Sequence, residues 1–157
     1  MAILQQLAAA LEARGEIDRA IIRHHEALVY QDVRHAPDQY ARTLYTLGRL
    51  YTQVKRYNEA AKALEDALAT DYSQTTPDQA AIDAGTKLLA DVYRAQNRLE
   101  QAAELYRRIA VPESESPPDA DATIAHKSTS PDNIRAAAVR ALEGTQREIE
   151  RYRQTLQ

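Results

Sequence analysis

Residues 44–68 read LYTLGRLYTQVKRYNEAAKALEDAL, and this stretch carries two apolar stripes at helical spacing on either side of a short break. The two stripes consist of Leu44, Leu47, Gly48 and Tyr51, and then of Ala60, Leu64 and Ala67. Neither short helix can bury such a stripe alone, so the pattern predicts two helices packed as an antiparallel pair.

The same frame recurs on both sides of this stretch. In each copy a small residue of the first helix stands twelve positions before an alanine of the second, and the three pairs are Ala8 and Ala20, Gly48 and Ala60, and Ala90 and Ala102. A chain of 157 residues is normally one domain, so we expect a single domain over residues 1–157 that is built on this constant spacing. Its three repeats cover about residues 2–34, 37–73 and 77–111.

The motif Leu-x-x-Leu-Gly-x-x-Tyr followed by Ala-x-x-x-Leu resembles the tetratricopeptide pattern, with Leu44 in place of its Trp and Leu64 in place of its Phe. The repeats are longer than the ordinary unit of ~34 residues. Long repeats entered through Pro-Asp and reading LGRLYTQVKRYNEAAKALEDAL are similar to those of kinesin light chains. The resemblance covers about residues 2–110. It implies an all-α fold, a right-handed superhelix (α-solenoid) of three helical hairpins plus a C-terminal capping helix.

Two helix boundaries are predicted in more detail. The second helix of repeat one runs from Glu16 to about Val33. The first helix of repeat three begins in the stretch Thr76-Pro77-Asp78-Gln79, where Thr76 is the expected N-cap and Gln79 completes a capping box.

Residues 112–130 differ in composition from the repeats. They contain three prolines and four acidic residues and predict a flexible exposed loop. Disorder is the simpler interpretation, and ordering on a partner is the alternative.

Residues 131–156 predict a long C-terminal helix whose apolar side covers the last repeat. Two alternatives remain open for this helix. It could be the first helix of a degenerate fourth repeat, with Gly144 as the small residue. It could also form a homodimer through Ile149, Tyr152 and Leu156.

The composition excludes several classes of function. A formal net charge of −3 does not favour nucleic acid or an anionic membrane as a partner. The chain has no Cys, which excludes disulfides and thiolate zinc sites, and it has neither a signal peptide pattern nor a long apolar run. We therefore expect a cytoplasmic protein. We expect that the protein is not an enzyme and that it has no catalytic residue and no cofactor, since the sequence contains no Gly-rich phosphate loop or nucleophile motif.

Three histidines are the only candidates for a metal site. His24, His25 and His35 lie near one another in the sequence, but no carboxylate stands at a spacing that would complete a set of ligands. His24 falls on the apolar stripe of its helix, so a buried and hydrogen-bonded imidazole is the preferred interpretation.

The resemblance implies that the first helix of each repeat lines a concave groove that binds a partner. The residues expected to face this groove are Arg42, Tyr45, Thr46, Arg49, Gln53, Ala84, Lys87, Leu88, Asp91 and Arg94, with Gln5, Gln6, Ala9 and Glu12 from repeat one. We expect the second half of the groove to be basic.

Guanidinium groups form bidentate hydrogen bonds with carboxylates, so an extended acidic peptide is the predicted ligand, with Tyr45 as an apolar anchor. The carboxylate clamp of chaperone-binding relatives is missing, because Gln5, Ala9 and Thr46 replace its Lys, Asn and Asn. Two alternatives remain open. The acidic loop 112–130 could occupy the groove, or the protein could be a structural subunit that self-associates through its solenoid edges.

Overall fold

A computed structural model describes residues 2–110 and 131–155 of the chain. Throughout these ranges the regular structure is α-helical. The helices are α1 (Ala2–Ala13), α2 (Ile17–Val29), α3 (Pro37–Gln53), α4 (Tyr57–Tyr72), α5 (Gln79–Ala95), α6 (Leu99–Ala110) and α7 (Pro131–Thr155). The expectations that fall on residues 111–130 and on Leu156 lie outside the described residues.

The helices pack as three successive hairpins, α1 with α2, α3 with α4 and α5 with α6. Each hairpin packs on the next, and α7 packs on both helices of the third hairpin. This arrangement confirms the predicted all-α solenoid of three hairpins with a C-terminal helix.

The turn inside each hairpin has the same geometry. Its central residue has a positive φ, which is 75° at Gly15, 60° at Lys55 and 62° at Asn97. In each turn the following amide donates to the carbonyl five residues earlier, as Arg56 does to Tyr51 at 2.8 Å. This is a Schellman motif, which satisfies carbonyls at the end of the first helix and reverses the chain.

The small residues of the repeat frame lie at the close contact between the two helices of a hairpin. Ala8 and Ala90 are completely buried. A Cβ added at Gly48 would come within 2.6 Å of the Cγ atom of Leu64. The sequence has no Phe or Trp, and the buried core of the described residues is built mainly from Ala and Leu, with Ile, Val and Tyr.

Two predicted helix boundaries are wrong. Helix α2 ends at Val29 rather than near Val33, and Asp32 holds the following segment by accepting hydrogen bonds from the Arg34 amide and the His35 ring. Asp78, not Thr76, caps α5 by accepting from the amides of Ala80 and Ala81. The predicted capping box is absent, because Gln79 donates to Asp83 instead.

Helix α7 covers the third hairpin through two completely buried residues, Ala138 and Thr145. Ala138 joins a cluster that includes Ala90 and Tyr106. Gly144, the small residue of the fourth-repeat alternative, is half-buried.

Candidate functional site

The first helices of the three hairpins, α1, α3 and α5, lie side by side, and we call the surface they share the groove face. Glu12 of α1 reaches Arg49 of α3, and the ring of Tyr45 on α3 lies against Gly85 of α5. Helix α7 extends this face, because its Glu148 pairs with Arg94 of α5. The groove face is therefore connected by side chains from one end to the other.

Glu12 connects the first two hairpins. One of its carboxylate oxygens accepts a hydrogen bond from Nε2 of His24 at 2.8 Å, and the other pairs with the guanidinium of Arg49. Burial disfavours ionisation of this carboxyl, but the two hydrogen bonds outweigh it, so the pKa of Glu12 lies below its usual 4.5. Arg49 was predicted to face a ligand, and here it has an internal carboxylate partner.

The two cations predicted in repeat three are also paired. Lys87 contacts Asp91 at 2.8 Å within α5, and Asp91 also accepts a hydrogen bond from the buried Tyr106 hydroxyl. Arg94 binds Glu148 through two guanidinium nitrogens, and this pairing holds the pKa of the Glu148 carboxyl below its usual range. The second half of the groove face therefore carries compensating acidic groups beside its basic ones.

Tyr45 is used inside the fold. Its hydroxyl donates to Asp71 of α4 at 2.6 Å, while its ring packs on Gly85 of α5. Burial raises the pKa of the Tyr45 phenol, and the Asp71 carboxylate raises it further. The side chain thus joins α3, α4 and α5, and only part of its surface remains for a ligand.

Arg42 lies at a cleft between the first two hairpins, and it has no ion-pair partner in the described part of the chain. The cleft has a volume of about 250 Å³. Its lining residues come from α1, α2 and α3 and are all polar or charged; they are Gln5, His24, Gln39, Arg42, Thr43 and Thr46. Helix α3 packs directly on α5 but meets α1 only through side chains, which leaves room for this cleft.

Two buried polar atoms lack a partner among the residues that are described, namely Nδ1 of His24, which lines the cleft, and Oε1 of Gln31, whose amide contacts the lining residue Thr43. The Gln31 amide donates to the hydroxyl of Thr43, which in turn donates to the carbonyl of Gln39. Buried polar atoms usually have hydrogen-bond partners, so these two atoms are exceptions within the fold beside the cleft.

The structure thus brings together Gln5, Arg42 and Thr46 of the predicted set, and Thr46 donates to the carbonyl of Arg42 at 3.0 Å. Lys87, Asp91 and Arg94 lie on α5 and do not line this cleft, and Gln53 is exposed at the end of α3. Sequence reasoning missed His24, Gln39 and Thr43 as cleft residues. The polar stripe at Gln39, Arg42, Thr43 and Thr46, at spacings of three and four, was the signal that could have identified this side of the cleft.

The described residues contain no group of three or more His, Asp or Glu side chains that could hold a metal ion. His24 is buried as expected, with Glu12 as its partner, and His25 contacts the Tyr51 hydroxyl at 2.6 Å. Across residues 2–110 and 131–155, no helix has the length and apolar character needed to cross a membrane.

Comparison with protein families gives two matches, both to models described as tetratricopeptide repeat, at residues 1–73 and 87–118. No curated protein matches the chain. The matched segments hold all three small-residue frames. Tetratricopeptide repeats generally serve as non-enzymatic scaffolds for protein–protein interaction. With three hairpins of the same geometry and two independent matches, the chain belongs to the tetratricopeptide repeat family.

Proposed function

We propose that this scaffold binds an extended, acidic segment of a partner protein on the groove face, and that an Asp or Glu side chain of the segment docks at Arg42. One observation carries the proposal. Of the four predicted groove cations, Arg49, Lys87 and Arg94 have carboxylate partners, whereas Arg42 has none among the described residues and borders a polar cleft.

The chemistry of the cleft suits a carboxylate at its mouth. The guanidinium of Arg42 can donate two parallel hydrogen bonds to a carboxylate, and the side-chain amides of Gln5 and Gln39 are further donors. A ligand that approached Arg49 or Arg94 would first have to displace Glu12 or Glu148. The displaced carboxylate would then need a new partner, so these cations contribute less to affinity than their charge suggests.

The proposal does not extend to nucleic acid or membrane lipid. A polyanion needs an extended basic surface, whereas three of the four predicted groove cations have carboxylate partners. A cytoplasmic location is part of the same proposal and agrees with the absence of Cys.

A peptide array tests the proposal. Acidic peptides are compared with the same peptides carrying Asn for Asp and Gln for Glu, and the binders are then titrated by fluorescence anisotropy. We expect Arg42→Ala to weaken binding of an acidic peptide about tenfold or more, which corresponds to about 1.4 kcal/mol. The matched control is Arg140→Ala, which removes an exposed guanidinium of α7 away from the cleft. Equal binding of acidic and amide peptides, or equal effects of the two variants, would contradict the proposal.

A further inference from the structure

One flank of α1 exposes an apolar stripe. Ile3 is 79 % exposed, Leu7 is 43 % exposed, and Ala10 is also open to solvent. The three residues stand at spacings of four and three, so they share one side of the helix. Glu12 points from another side of α1 toward Arg49 of repeat two. The stripe therefore lies on the flank that faces away from the rest of the solenoid.

The same three repeat positions are buried in the other two hairpins. They are Thr43, Leu47 and Leu50 in α3, and Gly85, Leu89 and Val92 in α5. In both places the preceding hairpin packs on the helix that carries these residues, α2 on α3 and α4 on α5, and Tyr45 of α3 lies against Gly85. The stripe on α1 is thus a helix-packing surface of the kind that the repeats use on one another, and no described residue covers it.

The charge pattern indicates what can cover this stripe. Helix α1 has no charged residue before Glu12. The last two helices, by contrast, form a cleft that is lined by Glu100, Glu104, Arg107, Glu150 and Arg153 among others, and Val139 of α7 is flanked by the exposed Arg140 and Glu143. Stacking the C-terminal edge of one copy on α1 of another would bury those charges against apolar side chains, which is costly. When the uncharged stripe of one copy packs on the same stripe of a second copy, no charge is buried and this cost does not arise.

We propose that two copies of the protein associate through isologous contact of their α1 stripes. The two helices run antiparallel about a two-fold axis near Leu7, so that Ile3 of each copy packs on Ala10 of the other. The large residue then faces the small one, which allows close approach. The contact involves one helix from each copy and is small, so the dimer is weak and its population depends on concentration. This surface is separate from the Arg42 cleft, which remains open in the dimer.

Light scattering coupled to size exclusion, over a series of concentrations, tests the dimer. We expect the wild-type mass to rise from 17.6 kDa toward twice that value and to stop there. Leu7→Glu should remain monomeric with an unchanged circular dichroism spectrum. Val29→Glu changes a side chain that is even more exposed, on α2, and should associate like the wild type.

Cross-linking tests the register independently of the charge substitution. The chain has no Cys, so single cysteines can be introduced cleanly. We expect a mixture of Ile3→Cys and Ala10→Cys proteins to form disulfide-linked dimers under mild oxidation, well above the level of Val29→Cys alone. A wild type that stays monomeric at every concentration, association of Leu7→Glu equal to wild type, or growth beyond the dimer would overturn the proposal. Cross-linking of the mixture no greater than that of Val29→Cys would also overturn it.

Discussion

The ring of Tyr45 lies against the backbone of Gly85 so closely that a Cβ at Gly85 would come within 2.2 Å of the ring atom Cε1. The ring cannot easily move away, because its hydroxyl is held by Asp71 of the neighbouring helix. This contact joins the second hairpin to the third. It also explains why Tyr45 contributes to the fold although its position predicted a side chain that faces a ligand.

Gly85→Ala is expected to destabilise the protein by about 1–3 kcal/mol through overpacking against Tyr45. The matched control is Gly144→Ala in α7, where the nearest heavy atom to the added Cβ is Nη2 of Arg94 at 3.9 Å. There the gain in helix propensity should dominate and stabilise the protein by about 0.5–1 kcal/mol. Urea unfolding measures the change in the free energy of unfolding for both variants. If the two changes have the same sign, the close contact between Gly85 and Tyr45 is contradicted.

Gly48→Leu tests the repeat frame itself. An added Cβ already meets Leu64 at 2.6 Å, and a full leucine side chain has no space between α3 and α4. We expect a loss of roughly 1–3 kcal/mol or more in the free energy of unfolding. Thermal melting monitored by circular dichroism checks this, and a melting curve that matches the wild type would show that the helices can separate at no cost.

The frame could be read from the sequence because it depends on local spacing. The spacing from Gly48 to Ala60 determines where the first helix ends, how long the turn is and where the second helix begins. The turn residues Gly15, Lys55 and Asn97 stand at the same position in each repeat. The cap of α5 was missed because Thr76 and Asp78 both suit an N-cap, and the spacing alone does not choose between them.

The partners of the groove cations could not be read in this way. Glu12 and Arg49, or Arg94 and Glu148, meet only after separate hairpins have packed with a particular offset and rotation. The sequence supplied the positions of these cations on the first helices. It did not show which carboxylates pair with these cations. The predicted basic groove therefore carries much less unpaired positive charge than expected.

The lowered pKa of Glu12 predicts a pH-dependent contribution to stability. A carboxyl whose pKa is lower in the folded than in the unfolded chain stabilises the fold above its unfolded pKa, near 4.5. That stabilisation is lost as the pH falls through the folded pKa. We therefore expect the free energy of unfolding of the wild type to exceed that of Glu12→Gln by about 1 kcal/mol at neutral pH. This difference should vanish in acid.

Urea unfolding at several pH values between about 7 and about 3 measures this difference. Glu100→Gln changes an exposed carboxylate of α6 and serves as the control. If the difference in the free energy of unfolding between Glu12→Gln and wild type stays constant over the whole pH range, Glu12 acts through packing rather than through its charge.

Helix α7 is expected to stabilise the third hairpin. Ala138 is completely buried against the cluster that contains Ala90 and Tyr106, whereas its neighbour Val139 is 40 % exposed. Ala138→Asp should cost about 3 kcal/mol or more because it buries an unpaired charge, and Val139→Asp should cost little.

Removing residues 131–157 should have a larger effect than the point substitution, because it uncovers the buried flank of α5 and α6. We expect a lower melting temperature together with increased association, measured by circular dichroism and light scattering. A truncated chain that remains monomeric and melts like the full chain would show that α7 is an independent extension.

The final prediction concerns which cation of the groove face carries ligand affinity. Arg42→Glu should abolish measurable binding of an acidic peptide and leave the melting temperature unchanged, because Arg42 is exposed and has no ion pair among the described residues. Arg94→Glu should behave differently. It places a new carboxylate beside Glu148, so it should lower stability by up to about 1 kcal/mol and weaken binding only slightly.

The two variants carry the same charge change, so a general electrostatic effect would weaken binding equally in both. Salt provides the second check, since an exposed pair between Arg42 and a carboxylate is screened and its affinity falls as ionic strength rises. Isothermal titration calorimetry with one acidic peptide at low and high salt distinguishes a specific ion pair at Arg42 from a general electrostatic effect. If Arg94→Glu abolishes binding while Arg42→Glu does not, the peptide displaces Glu148 and docks at the α5–α7 end of the groove face instead.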